Sequence, residues 1–388
     1  MNPPDLSNAL ELPDAAGEGD AAPAAVAPAP RVALTERWPW LRGFAVGLTI
    51  AYCFALVVVA LALRFIGEGW WVTTTLLYLP RIVFALPLPL VAAVLLLLGS
   101  WRQILCLLPV PILLLLFPLM GLELSVGSLF KTGFKPARAA ASAGKLRVLS
   151  FNVAAGDFAE AATKTILAAN ADVILMQEWD ARVAVLLEPQ LPHFHRSTNH
   201  QFSVLSRYPI ADVFLPSLVP YLEANDRAAR YARYRIRTPN GLVTILNIHP
   251  VSPRNGLERF RRLDLRTLMK SGGTGGAAGV AFLRRNAAMR WEETKAIAAE
   301  AARTSGPLII AGDTNLPALS RIYGETLGDF RDGFSAVGRG FGYTYPAHQP
   351  WMRIDRILAN SSLRFLRFEV LPGGGSDHRA VTADLALP

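Results

Sequence analysis

The chain has 388 residues, a formal net charge of +9 and a hydrophobic content of 52%, with a mean hydropathy of +0.30. Values this apolar exclude a chain disordered throughout and an average water-soluble globule, and most of the excess lies before residue 125. The only two cysteines, Cys53 and Cys106, fall in apolar runs, so neither a disulfide framework nor a cysteine-based metal site is available to the rest.

Residues 1–35 are rich in Ala and Pro and lack an apolar period, which predicts a disordered tail. No basic start leads into an apolar stretch, so they do not read as a cleavable signal peptide. Residues 36–122 read as a transmembrane region with about three helices, at 43–65, 82–99 and 103–122, each near the length that crosses a bilayer. Pro109, Pro111 and Pro118 are tolerable there, and Trp70, Trp71 and Tyr78 are expected as interfacial anchors. The expected partner is a lipid bilayer held through these helices, and the expected location an inner or plasma membrane of bacterial type. Three crossings with the N-terminus inside put the remainder of the chain outside the cytoplasm, with Arg31, Arg37, Arg42 and Arg102 inside. Lys131, Lys135, Arg138, Lys145 and Arg147 pull the other way; the extracytoplasmic side is the expectation adopted.

Residues 123–143 read as a linker and 144–388 as a catalytic domain long enough to bury its own core. Strands are predicted over Leu146–Val153, Asp172–Met176, Phe202–Leu205, Leu242–Ile248 and Leu308–Ala311, and helices over Ala159–Asn170 and from about Asn286 to Arg303. Between Pro250 and Arg290 nine basic residues face two acidic ones, a local net of +7. Such a segment either attracts a polyanion or is a solvated excursion whose charge keeps it soluble, and its Gly-rich middle, Ser271–Gly279, reads as flexible.

Polar residues recur immediately after apolar strands: Asn152, Glu178, His249, Asp313 with Asn315, Asp355, and Asp377 with His378. Groups at strand ends gather at one rim of a sheet, on rigid elements. Carboxylates and amides without cysteine favour a hard ion, Mg²⁺ or Mn²⁺. In-line attack of water on a phosphodiester needs a cation, neutral donors, a base and help for the leaving group. His378 beside Asp377 is a candidate base. Each motif alone also has a plain reading, since Asp-x-Asn is common in turns and a strand-end Glu is usually solvated. The ordered series over one domain length is what points to chemistry.

That series, from residue 146 to the closing Ser376-Asp377-His378, resembles the endonuclease/exonuclease/phosphatase superfamily, which includes DNase I-like nucleases, inositol polyphosphate phosphatases and neutral sphingomyelinases. The resemblance implies an α+β fold: the transmembrane helices would be followed by a four-layer αββα two-sheet sandwich. It implies Glu178 as principal metal ligand, with Asn152 and Asp377 near the metal. His249 would bind the scissile phosphate or assist the leaving group. Asp313 would orient or activate the water, and Asn315 would hold a phosphoryl oxygen. His378 would be a base or phosphate-binding group oriented by Asp355. Ser206-Arg207-Tyr208-Pro209 matches a family element and makes Arg207 a substrate-binding candidate, though a structural role fits equally. Tyr343-Thr344-Tyr345-Pro346 matches another, whose aromatics either floor the pocket or simply pack.

The function expected is a membrane-anchored, metal-dependent phosphoesterase acting on a lipid headgroup or phosphorylated small molecule. The alternatives are a Mg²⁺-dependent nuclease on DNA or RNA, and a catalytically inactive membrane-tethered binding module. No obligate protein partner is inferred.

Overall fold

The computed structural model describes residues 38–124, 144–154, 158–217, 219–220, 227–254, 257 and 274–388. The expected disordered tail, nearly all of the expected linker and half of the basic segment after Arg254 lie outside these residues.

Three helical runs, Trp40–Gly69, Arg81–Leu98 and Trp101–Leu119, are long and apolar enough to cross a membrane. They contain α1 (Trp40–Leu61), α3 (Leu88–Leu98), α4 (Trp101–Leu107) and α5 (Pro109–Leu114), with α2 (Trp71–Tyr78) between the first two runs. Their outward faces are apolar: Phe54 is 69% and Leu97 80% exposed, which water would penalise and lipid would not. The inner faces meet in a small cluster that includes Leu56, Leu63, Leu77, Val91 and Leu115.

The rest is a two-sheet sandwich. Its strands are β1 (Lys145–Asn152), β2 (Val173–Gln177), β3 (His195–Asn199), β4 (Phe202–Ser206), β5 (Ile210–Phe214), β6 (Val219–Pro220), β7 (Arg227–Ala228), β8 (Tyr231–Thr238), β9 (Gly241–Ile248), β10 (Leu308–Asp313), β11 (Arg331–Asp332), β12 (Asp355–Ala359), β13 (Arg364–Val370) and β14 (Val381–Ala386). One sheet runs β13-β14-β1-β2-β4-β3 and the other β11-β12-β10-β9-β8-β5, while β6 and β7 pair separately. Each large sheet has one parallel pair at its centre, β1 with β2 and β9 with β10, flanked by antiparallel partners. Helices make both parallel crossovers: α6 (Ala159–Ala169) between β1 and β2, and α8 (Thr274–Ala302) between β9 and β10.

Alternation along the strands fills three apolar layers. Leu146, Val148, Val173 and Leu175 face Tyr234, Ile245, Ile309 and Ile357 between the sheets. Leu149, Phe151, Ile174 and Met176 turn outward onto α6 and α7 (Ala181–Leu187), and Leu246, Ile248 and Ile310 onto α8. Each such side chain contributes roughly 1.5–3 kcal/mol on burial. The expected αββα architecture is the observed one. Near the catalytic end the inter-sheet layer turns polar: Gln177 donates to Asn247 Oδ1 at 2.6 Å and to Ser150 Oγ at 3.2 Å, tying β2 to β9 across the sandwich.

Two expectations need correction. The Gly-rich stretch expected to be flexible is helical from Thr274 onward, because Leu283, Asn286, Ala287 and Arg290 recur on one buried face and tertiary packing overrides weak propensity. Tyr78, expected among the interfacial anchors, instead reaches the sandwich, where its hydroxyl donates to the Asn315 carbonyl at 2.9 Å.

Other contacts fasten the apolar helical region to the sandwich at the same face. Glu68, 6% exposed, accepts from Ser320 Oγ and from the backbone N–H groups of Arg321 (3.1 Å) and Ile322 (3.4 Å), capping α9 (Arg321–Thr326). Gly67 is required here: its φ is +50°, and a Cβ on it would lie 2.7 Å from Arg321 Cβ. Past the third run, Glu123 and Gly340 exchange two backbone hydrogen bonds of 2.8 and 3.0 Å, and Tyr343 donates to the Met120 carbonyl at 2.7 Å. Tyr343 therefore packs against the end of the third apolar run.

Candidate active site

The central parallel strands of both sheets end on the same side, and that side carries the polar series. Asn152 closes β1, Glu178 follows β2, His249 follows β9 and Asp313 closes β10. The antiparallel neighbours begin there. Asp355 at the start of β12 pairs with Asp313, and His378 just precedes β14, whose Val381 pairs with Ser150 of β1. Side chains separated by more than 200 residues thus converge at the carboxyl ends of buried strands.

Two backbone sites store strain to aim these groups. Glu178 and Asn315 sit at φ +50° and +51°, in the left-handed region that costs a non-glycine residue energy. Gly312 lets the two parallel strands close up beside Asp313, since a Cβ there would lie 1.9 Å from the Ile248 carbonyl oxygen.

At the centre, Asn152 Nδ2 donates to Glu178 Oε1 at 3.0 Å and to Asp313 Oδ2 at 3.3 Å. His249 Nε2 lies 3.6 Å from each of those carboxylate oxygens. Asp313 Oδ1 accepts from the Asn315 backbone N–H at 2.8 Å. One amide of Asn315 donates to the Pro250 carbonyl at 3.0 Å, leaving its second amide hydrogen for the cleft. On the far side, both oxygens of Asp355 face His378 Nδ1 at 3.1 and 3.0 Å, while His378 Nε2 lies 3.6 Å from Asp313 Oδ2. Ser376 Oγ donates to the Asn152 carbonyl at 2.7 Å and accepts from His378 N–H at 3.0 Å.

Electrostatics divide the labour. Burial lowers the basicity of His378, but Asp355 and Asp313 outweigh it and push its imidazole up to about 10. Burial also raises the Asp313 carboxyl above its usual range, against the pull of His378 and His249. A divalent cation beside these carboxylates would compensate their charge and lower both groups.

A cation fits this set. Asp313, Asp355 and His378 bring ligand-type atoms within 4.8 Å of one another. The hydrogen bonds argue for a different trio, because Asp355 and His378 already satisfy each other. Glu178 and Asp313 instead share a single amide donor, Asn152 Nδ2, and their two carboxylates supply oxygens suited to a hard divalent ion, while Asn152 Oδ1 accepts from the Ala154 N–H at 3.0 Å.

Of the residues expected from sequence, Asn152, Glu178, His249, Asp313, Asn315, Asp355, Asp377 and His378 surround one cleft. Asp377 sits at its edge, Oδ2 taking Arg254 at 2.7 Å and Oδ1 3.9 Å from His378 Nε2. Arg207 lies elsewhere, among contacts that fit the structural role the sequence also allowed. It follows Ser206, which pairs with Val173 at the start of β2, whereas Glu178 follows the end of β2. Antiparallel pairing therefore puts it at the opposite end of the sheet, where it bonds Asn170 Oδ1 at 2.5 Å and faces Asp172 at 3.4 Å. Arg290, counted in the basic segment, is fully buried and belongs to no solvated patch.

The cleft has a volume of about 720 Å³ and is also walled by Tyr78, Arg254, Tyr345, Trp351 and Met352. Tyr345 packs against His378 with ring centroids 4.9 Å apart. A larger hollow of about 910 Å³ beside β13 holds none of the convergent groups, so chemistry and not size locates the site.

Gln201 carries no signal in the sequence, because it looks like an ordinary turn residue between β3 and β4. Its Nε2 donates to the Ala229 carbonyl at 2.6 Å, so its Oε1 faces His249 Nδ1 at 2.6 Å as an acceptor. That fixes the proton on Nδ1 and leaves Nε2 facing the cleft. Gln201→Leu is expected to cut turnover about tenfold to a hundredfold, the usual range for a lost orienting partner. Steady-state kinetics of the purified variant check this, and wild-type turnover would refute it.

No curated protein matches the sequence. Solved structures similar to it include truncated TDP2 of Caenorhabditis elegans (15% identity, 62% of this chain and 98% of that one, TM-score 0.45). The mannosyl-6-phosphatase of Bacteroides thetaiotaomicron VPI-5482 matches at 15% identity over 62% of this chain and 100% of that one, TM-score 0.45. An endonuclease/exonuclease/phosphatase of Bacteroides vulgatus matches at 15% identity over 63% and 100%, TM-score 0.46. Residues 149–378, more than half of the chain and every residue of the convergent set, match the Endonuclease/Exonuclease/phosphatase family. The chain belongs to that family and is a phosphoric ester hydrolase with a DNase I-like fold.

Proposed function

We propose that this protein is an integral membrane phosphoesterase that uses Mg²⁺ or Mn²⁺ to hydrolyse a phosphoester presented at the bilayer, a lipid headgroup before a nucleic acid. The observation that carries the reading is the convergence of Glu178, Asn152, His249, Asp313 and His378 on one cleft. Support for the bilayer comes from the cleft wall, which includes Tyr78 from the segment joining the first two apolar runs. Both the end of the first run and the end of the third contact the catalytic domain, through Glu68 and Met120. That arrangement favours three full crossings, with Trp40 and Trp101 at the far face. We assign the catalytic domain to the extracytoplasmic side on that basis. The domain limits are then 36–122 in the membrane, 123–143 as linker and 144–388 as catalyst.

In this reading Glu178 would hold the ion beside Asp313, with Asn152 bridging and orienting their carboxylates through Nδ2. When bound, the ion polarises the phosphoryl group and neutralises developing negative charge. Asp313 takes a proton from the attacking water as the new P–O bond forms. His378, held protonated against Asp355, donates from Nε2 to a phosphoryl oxygen. The P–O bond to the leaving oxygen breaks opposite the attacking water, and His249, carrying a proton on each ring nitrogen at that step, donates from Nε2 to that oxygen, while the free amide hydrogen of Asn315 meets a second phosphoryl oxygen. Asp377 and Arg254 border the entry.

The test is a substrate panel on the full-length protein in nanodiscs: phospholipids, plasmid DNA, RNA and bis(p-nitrophenyl) phosphate, each with Mg²⁺, Mn²⁺ or EDTA. Cleavage of phospholipid that EDTA stops and Mg²⁺ restores is the expected result. Faster cleavage of DNA or RNA would make it a nuclease, and no cleavage of any substrate would sink the enzymatic reading.

A further inference from the structure

The deepest contact between membrane region and catalyst lies beside the reacting groups. Tyr78 ends α2, part of its surface faces the cleft, and its hydroxyl donates to the Asn315 carbonyl at 2.9 Å. The same hydroxyl accepts from Arg290 of α8, a fully buried guanidinium that also packs over the tyrosine ring at 5.4 Å. Arg290 Nε donates to Asn286 Oδ1 at 3.0 Å, and Asn286 donates to the Ser252 carbonyl at 2.9 Å. Asn315 is held at three further points: φ is +51°, its N–H bonds Asp313 Oδ1 at 2.8 Å, and its amide bonds Pro250 at 3.0 Å. Its carbonyl is the remaining main-chain polar group, and the membrane region supplies the donor for it.

We propose that Tyr78 is a positioning residue of the active site: it fixes Asn315, and through it Asp313, so the site is complete only with the membrane region docked. The inference rests on the hydrolytic reading above. A left-handed residue released at one of its anchors relaxes toward commoner backbone angles, and the Asp313 carboxylate moves with it. Small displacements of a reacting group cost turnover more than binding. The Glu68 cap and the close approach at Gly67 hold α2 in register, so docking and alignment are one event.

The test uses the full-length protein in nanodiscs with bis(p-nitrophenyl) phosphate and Mg²⁺. Tyr78→Phe keeps the ring over Arg290 and removes only the hydroxyl. It is expected to lower kcat about tenfold, with KM changed less than about twofold. It should also speed deuterium exchange in the peptide spanning residues 313–319. Leu283→Ala, which loosens α8 without touching Tyr78, should lower thermal stability and keep kcat. Unchanged kcat and exchange in Tyr78→Phe would overturn the proposal, as would an equal loss of kcat in Leu283→Ala. An inactive wild type would fail the hydrolytic reading, while the exchange comparison would still decide this one.

Discussion

Glu178→Gln is expected to lower turnover about a thousandfold while leaving the fold intact. The substitution keeps the shape of the side chain and an acceptor for Asn152 Nδ2, now 3.0 Å from Glu178 Oε1, and removes only the charge. With Glu178 neutral, Asp313 alone remains to hold a divalent ion beside the Asn152 amide. Ion affinity falls, and the phosphoryl charge that builds during attack loses its compensation. Folding is spared because the Glu178 side chain is 40% exposed and anchors no core contact. The left-handed backbone at φ +50° is no worse for glutamine than for glutamate. Calorimetry with Mn²⁺ separates the two parts of the claim. The expected outcome is weaker ion binding with an unchanged melting temperature. A variant that binds Mn²⁺ and turns over like wild type would remove Glu178 from the ion site.

His378→Ala is the second large effect, and here activity and stability fall together. Loss of a proton-carrying group at the phosphate costs about 10²–10⁴ in rate. Asp355 is 1% exposed and spends both oxygens on His378, so truncation leaves a buried carboxylate without its cation. Breaking such a pair from one side destabilises by about 3–5 kcal/mol. The pH dependence has a definite sign. The imidazole is raised from 6.5 to about 10 on folding, so its contribution to stability is fully present below about 6.5 and is lost as the pH rises through about 10. In the chelated protein the His378 Hε1 resonance should therefore stay flat from about pH 6 to about pH 9. Titration near 6.5 would contradict the Asp355–His378 pairing. Bound Mg²⁺ should draw the midpoint down, since a cation opposes protonation nearby.

Much of the site could be read because Asn152, Glu178, His249 and Asp313 close or directly follow apolar strands, whereas Asp355 and His378 open or precede theirs. Asn152, Glu178, His249 and Asp313 stand out against Leu, Ile and Val neighbours, and Asp377-His378 is a distinctive pair. The three apolar helical runs of crossing length were legible for a simpler reason: length and composition need no partner. The four-layer sandwich followed from the family resemblance, not from the strand pattern, which does not specify how two sheets stack. The doubling of a parallel pair in each sheet was invisible, since the two halves share pairing geometry and not residues.

Other features belong to the tertiary structure alone. Arg207 left the site because antiparallel pairing reverses which end of a strand is near, and local sequence does not record a neighbour's direction. Gln201 and Tyr78 entered it through hydrogen bonds to residues 48 and 237 positions away, with no local periodicity to announce them. The Gly-rich start of α8 became helical because the face that includes Leu283 and Arg290 is buried, an energy no propensity scale contains. By itself the sequence determined which elements form and which chemical groups stand at their ends. Packing decided which of those groups share a cleft, because proximity in a folded chain is set by sheet order and direction, and these arise only when distant strands meet.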